Sequence, residues 1–212
     1  MRLTRSTWLV LTLSALAFGQ ARAEDGGPAP RIGLAAGRGS QQVFPRGGRD
    51  YRHEVVGGKL LVSLPLSGRG PFGVELLLEP SLWSASHRLL NAYYVKPTDG
   101  PDYLAQRARF TRGETIREYA LQVGLLARYQ PGQRWSCFVF GSTGPLFGDA
   151  ETERLARGFA FSNMLGLGLG HRTGRVLLEL RPSWRHVSNA DTRRPNSGHD
   201  TATLELGVSL SL

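Results

Sequence analysis

The sequence has 212 residues, with 26 basic and 17 acidic side chains and a formal net charge of +9. Its single cysteine, Cys137, rules out an internal disulfide, and beyond the first residues no run reaches the roughly 18 apolar residues that a transmembrane helix needs. The basic excess is mostly arginine, but no recognition motif accompanies it and an exported chain rarely meets nucleic acid, so that partner class is set aside.

In chain order, residues 1–23 read as a secretory signal. Arg2 and Arg5 form a basic start, Trp8 to Phe18 an apolar core, and Ala21-Arg22-Ala23 a small-x-small cleavage pattern. Without it the net charge falls to +6. Residues 24–30 form a polar, Gly/Pro-rich lead-in, and residues 31–212 a single domain.

That domain alternates apolar and polar residues with period two between turn signals, which predicts strands at 31–41, 51–66, 71–87, 115–129, 134–142, 158–171, 174–188 and 200–212. Short turns fall at 67–70, 130–133 and 171–174. Longer loops fall at 42–50, 88–114, 143–157 and 189–199. Short turns alternating with long loops are the pattern of outer-membrane barrels, in which the short turns are periplasmic.

In the strand 174–188 the even positions Val176, Leu178, Leu180, Pro182 and Trp184 are apolar, against Arg175, Glu179, Arg181, Ser183 and Arg185. The last strand sets Leu204, Leu206, Val208 and Leu210 against Thr203, Glu205, Gly207 and Ser209. The polar set carries both signs of charge (Lys59, Glu75, Glu79, Glu118, Arg128, Glu179, Arg181, Glu205), which can pair inside a narrow barrel. The expected fold is therefore all-β, an eight-stranded antiparallel transmembrane β-barrel of the bacterial outer membrane, polar within and apolar without. A soluble lipocalin-like barrel with the faces exchanged is the structural competitor. One departure is the terminal Leu212, where such barrels commonly end on an aromatic residue.

Chemistry concentrates at the end of the seventh predicted strand. His186 and Ser188, two apart, point the same way, and Asp200 opens the next strand. Their even numbering places all three on the apolar outer face near the external membrane boundary. Simple pairing across 189–199 sets Ser188 opposite Asp200 and makes His186 the diagonal neighbour. Ser188 would be the nucleophile, His186 its base and Asp200 the orienting acid. Asn189, Asn196 and the backbone at Gly198 are the oxyanion candidates. A triad on a lipid-facing wall points to a lipid substrate.

The segment Arg185-His-Val-Ser-Asn-Ala190, followed by Arg194-Pro-Asn-Ser-Gly198 and an acid twelve positions after the serine, resembles the signature of the lipid A 3-O-deacylase (PagL) family. The resemblance implies an eight-stranded outer-membrane barrel that hydrolyses the ester-linked acyl chain at position 3 of lipid A with a Ser-His-acid triad. Its histidine falls on His186, its serine on Ser188 and its acid on Asp200, an aspartate where the family has glutamate. It also implies lipopolysaccharide and outer-membrane lipid as partners, with no cofactor.

The remaining features have plainer readings. Arg46, Arg49, Arg107, Arg109, Arg112, Arg193 and Arg194 fall in predicted loops, as solvated charge or as a rim for lipid phosphates. Gly166, Gly168 and Gly170 relieve crowding in the lumen rather than cradle phosphate. Cys137 is packing. His53, His87, His171 and His199 show no metal-ligand spacing and read as loop or strand-end residues, so no metal is expected. Trp83, Trp135 and Trp184 suit an interfacial girdle. The loop 88–114 could cover part of the wall, and a homodimer is open. The rival function is a non-enzymatic barrel serving adhesion or envelope stability.

Overall fold

Alternation becomes architecture when the strand edges meet. In the computed structural model, which describes residues 29–43 and 50–212, eight strands among the described residues close into an antiparallel ring. They are β1 (Arg31–Ser40), β2 (Tyr51–Arg69), β3 (Phe72–Leu89), β4 (Glu114–Tyr129), β5 (Trp135–Gly148), β6 (Gly158–Thr173), β7 (Val176–Ser188) and β8 (His199–Ser211). Each pairs with its sequence neighbour, and β1 closes the ring on β8 from Arg31↔Ser211 to Ser40↔Ala202. Closure satisfies every strand edge, the condition for a sheet to cross hydrocarbon. The expected signal at 1–23, residues 24–28 of the lead-in, and Arg46 and Arg49 lie outside the described residues.

The two faces are those of a membrane barrel. Leu165, Leu178, Leu206 and Leu210 are each more than half exposed on the outer wall, whereas Glu205 and Glu79 are fully buried inside. In water that arrangement would waste apolar area and strand charge, so it excludes the lipocalin-like alternative. The chain is an outer-membrane β-barrel. Both β2 and β3 are 18 or 19 residues long, beyond the roughly 9–11 that span a bilayer, so the wall continues outward above it.

The lumen is filled rather than open. On β7 the successive inward residues Glu179, Arg181 and Arg185 each meet a partner from across the ring. Arg128 bridges Glu75 and Glu179 at 2.8 and 2.6 Å, and Arg31 also pairs with Glu75. Arg181 meets Glu79 at 2.5 Å, and Lys59 lies 3.1 Å from both Glu79 and Glu205. Arg185 meets Glu118 at 2.7 Å. Between these ions pack Leu77, Leu126, Phe138, Phe140 and Met164. Gly166 and Gly168 give that space, because a Cβ at Gly168 would lie 2.3 Å from Phe138 Cζ.

Three expectations change. β5 runs to Gly148 instead of stopping at 142, because the turn-like Gly144 and Pro145 are absorbed into the wall. Pro145 faces outward, and Gly144 fits where a Cβ would strike the Leu121 carbonyl. Trp83 does not belong to a girdle. Its odd position turns it into the lumen, 1% exposed, with the Arg185 guanidinium 5.5 Å from its ring. Trp135 and Trp184 do face outward. The span expected as loop 88–114 holds two 3₁₀ turns and a helix, α1 (Tyr103–Arg112), seated through Leu89, Val95 and Phe110.

Replacing Arg181 by Met removes the one cation among the described residues that lies within salt-bridge distance of both Glu79 and Glu179, and should destabilise the barrel by about 3–5 kcal/mol, since it strands buried charge. Urea titration of heat-modifiable gel mobility would measure it. A shift within error of zero would mean that this pair carries no net weight.

Candidate active site

The β7–β8 hairpin builds the site. The ladder runs from Val176↔Leu210 to His186↔Asp200 and Val187↔His199. His186, not Ser188, therefore lies directly opposite Asp200. The expected register was two residues off, and a two-residue slip leaves every side chain on its face, so alternation could not detect it. Arg185 and Val187 are buried in the lumen, while His186, Ser188 and Asp200 are partly exposed on the outer wall, the side their parity predicts.

His186 Nδ1 lies 3.0 Å from Asp200 Oδ1. With the carboxylate accepting from Nδ1–H, the lone pair of the imidazole is left on Nε2, the atom a base must present. Trp184 donates its Nε1–H to the same carboxylate oxygen at 2.9 Å. Asp200 is thus held from two positions on β7. Trp184 read as girdle from sequence, and its second role depends on the register just described.

Ser188 is the last residue of β7 and pairs with Phe161 of β6. Its hydroxyl makes no hydrogen bond among the described residues. Catalytic hydrogen bonds in unliganded enzymes are commonly open and tighten only around substrate. The structure brings Ser188 and His186 together around Gly198, whose φ is +66°. A Cβ there would meet Val187 O at 2.6 Å, His186 Cε1 at 3.2 Å and Ser188 Cβ at 3.4 Å. Only glycine lets the loop pass so close over both side chains.

The loop 189–198 is braced from within. Ala190 and Asp191 both have positive φ, 53° and 59°, and the turn is closed by Thr192 N–H on Asn189 O. Asn189 is completely buried. Its side-chain amide donates to Arg193 O at 2.9 Å, and its backbone N–H donates to Asn196 Oδ1 at 2.7 Å. These contacts occupy its donors with bracing. Gly198 N–H donates to Arg154 O at 3.2 Å. Asn196 Oδ1 is fixed toward Asn189, and its Nδ2 makes no hydrogen bond among the described residues.

Sequence reasoning missed Arg154. From the β5–β6 loop it donates to Gly198 O at 2.8 Å, Ser197 O at 3.2 Å and Tyr94 Oη at 3.1 Å, with its guanidinium over Tyr51. A bridge of Leu155 to Asn196, and Ser197 N–H on Arg154 O at 2.7 Å, tie the same two loops. Tyr94 also donates to Ser197 Oγ. No motif marks Arg154 in the sequence, because its partners are backbone carbonyls on a distant loop. Of the loop arginines, Arg107 donates to Val95 O and Arg109 lies 3.7 Å from Glu114. Arg193 and Arg194 stay exposed in the β7–β8 loop, Arg194 3.8 Å from Asp191. A groove on the outer wall, lined among others by Arg38, Val43, Glu54, Val56, Ser84 and Ala202, reaches to within two residues of Asp200 along β8.

No curated protein matches the sequence. Among solved structures, the outer membrane enzyme PagL is similar at 12% identity and TM-score 0.47, covering 84% of this chain and 98% of its own. The N-terminal β-barrel domain of Pseudomonas aeruginosa OprF is similar at 11% identity and TM-score 0.42, covering 87% of this chain and 99% of its own. Neisserial surface protein A gives 11% and 0.42, covering 86% of this chain and 96% of its own. The family model described as lipid A 3-O-deacylase (PagL) matches residues 82–209, which includes β4 to β7, nearly all of β8, and His186, Ser188 and Asp200. The chain belongs to the lipid A 3-O-deacylase (PagL) family.

Proposed function

We propose that this barrel hydrolyses the ester-linked 3-O-acyl chain of lipid A, with Ser188 as nucleophile, His186 as base and Asp200 as the orienting acid. The observation that carries this reading is the His186–Asp200 hydrogen bond on the outer wall, with a free serine hydroxyl one strand step away. Family membership supplies the substrate class.

Ser188 Oγ attacks the ester carbonyl while His186 Nε2 takes its proton. Collapse of the tetrahedral species breaks the bond to the sugar oxygen, which leaves as the hydroxyl after His186 returns the proton. Water, deprotonated by the same imidazole, then attacks the acyl-serine and releases the fatty acid. Asp200 stabilises the transient imidazolium, and Trp184 holds Asp200. Asn196 Nδ2 is the oxyanion donor we favour, because Asn189 is engaged in the loop. Aspartate in place of the family's glutamate is accommodated by register. Lying directly opposite His186, the shorter side chain still reaches Nδ1. The acyl chain would lie along the apolar wall, and Arg193 and Arg194 would face the lipid phosphates.

Ser188→Ala should lower fatty-acid release from purified lipopolysaccharide by at least about 10³-fold, and Asp200→Asn by on the order of 10⁴-fold. Mass spectrometry of lipid A from expressing cells should show loss of one hydroxyacyl chain with wild type and none with Ser188→Ala. Full release by the alanine variant would remove Ser188 from the mechanism. No release by wild type would leave the non-enzymatic barrel as the better account.

Trp184→Phe keeps the ring and deletes one hydrogen bond to the carboxylate. A roughly tenfold drop in kcat with little change in KM is expected, the size of one hydrogen bond to a charged group. Arg154→Met should cost about 100-fold by loosening the loop over Ser188, with the barrel fold retained. Unchanged rates in both variants would show that neither residue positions the site.

A further inference from the structure

The histidines set aside as unrelated converge inside the barrel. His53, His87 and His199 sit at inward positions of β2, β3 and β8, each no more than 2% exposed, and one nitrogen from each lies within 4.8 Å of the others. We propose that this trio is an internal site for a divalent transition-metal ion, with zinc as the best chemical match. The proposal is independent of acyl-ester hydrolysis.

His53 Nδ1 and His87 Nδ1 are 3.1 Å apart. Two nitrogens on one tetrahedral zinc, each bonded at about 2.0–2.1 Å, stand about 3.4 Å apart. On its far side His87 Nε2 meets both oxygens of Glu153 at 3.0 and 2.9 Å. A carboxylate on one ring nitrogen fixes the proton there and turns the other lone pair to the metal, the usual outer support of a histidine ligand. His199 Nε2 lies 3.1 Å from Thr152 Oγ1, a hydroxyl that also accepts from the Arg154 and Leu155 backbone N–H groups. His199 Nδ1 is buried with no hydrogen-bond partner among the described residues. A buried imidazole nitrogen with nothing to bind, beside two others, is the second observation that points to a ligand.

The rings of His53 and His199 are stacked, 4.3 Å between centroids and 2° from parallel. Closing on one ion therefore requires one of these rings to turn out of the stack, and places the His199 ring proton on Nε2 facing Thr152. The donor set also selects the ion. The imidazoles lie near the guanidiniums of Arg154 and Arg185, and Glu153 hydrogen-bonds His87. Calcium and magnesium, held by oxygen and by charge, gain little there, whereas zinc, nickel or copper bind imidazole nitrogen directly. Bound there, the ion would clamp the outer ends of β2, β3 and β8 and the β5–β6 loop. That places it just inside the wall whose outer face carries Asp200.

The test uses the detergent-solubilised barrel and the ion alone. Calorimetric titration with Zn²⁺ should give one ion per barrel, and Co²⁺ should give the intense visible absorption of a tetrahedral nitrogen site. His199→Gln should abolish both, and Glu153→Gln should weaken zinc binding about 10- to 100-fold. His171→Gln, outside the trio, should leave binding unchanged. Heat-modifiable mobility reports whether each variant folds. Should the variants fail to fold, X-ray absorption of the zinc-loaded wild type decides, with three imidazole ligands supporting the site and one or none overturning it. Absence of stoichiometric zinc binding, equal binding of Ca²⁺, or full binding by folded His199→Gln would each overturn it as well.

Discussion

A closed ring of eight strands leaves no backbone group for the bilayer to satisfy, and that closure governs the rest of the molecule. Once the ring is shut, every side chain is assigned either to hydrocarbon or to a narrow interior. The charges turned inward are too costly to bury singly, so they occur as partners: Arg128 between Glu75 and Glu179, Arg181 on Glu79, Lys59 between Glu79 and Glu205, Arg185 on Glu118. This ladder makes the barrel a rigid plug rather than a pore. It ties β7 to β3 and β4 and β8 to β2, while the β7–β8 ladder sets the spacing of His186, Ser188 and Asp200 on the outer face.

The same wall serves two chemistries through alternation. Along β7 and β8, Trp184, His186, Ser188 and Asp200 face lipid, while Arg185, Val187 and His199 between them face inward. The lumen therefore supports the face that carries His186, Ser188 and Asp200 by packing against its reverse side. The β7–β8 loop is held separately, by Arg154 and the Asn189–Asn196 bond, which bring Gly198 down over His186 and Ser188. In the function proposed above, the acyl chain of the lipid substrate stays in the membrane while its ester reaches the rim.

Period-two alternation carried the fold. It set the strand number, the alternation of short and long connections, the inward charges and the outward orientation of His186, Ser188 and Asp200. It could not set register, because sliding one strand by two residues changes no face. The partner of Asp200 was therefore legible only as one of two residues. Applied to the histidines, the same parity rule turns His53, His87 and His199 inward along with Trp83, a consequence that separate inspection of each residue did not reveal.

By itself, then, the sequence determined which residues face lipid and which face the lumen, and which short segment holds His186, Ser188 and Asp200, since these follow from local order along one strand. Only the tertiary structure decided that His186 meets Asp200 directly, that Trp184 and Arg154 steady the site, and that three histidines and Glu153 from distant segments share one buried space. Those contacts depend on ring closure and loop packing between residues far apart in the chain, such as His53 and His199, and no local pattern encodes them.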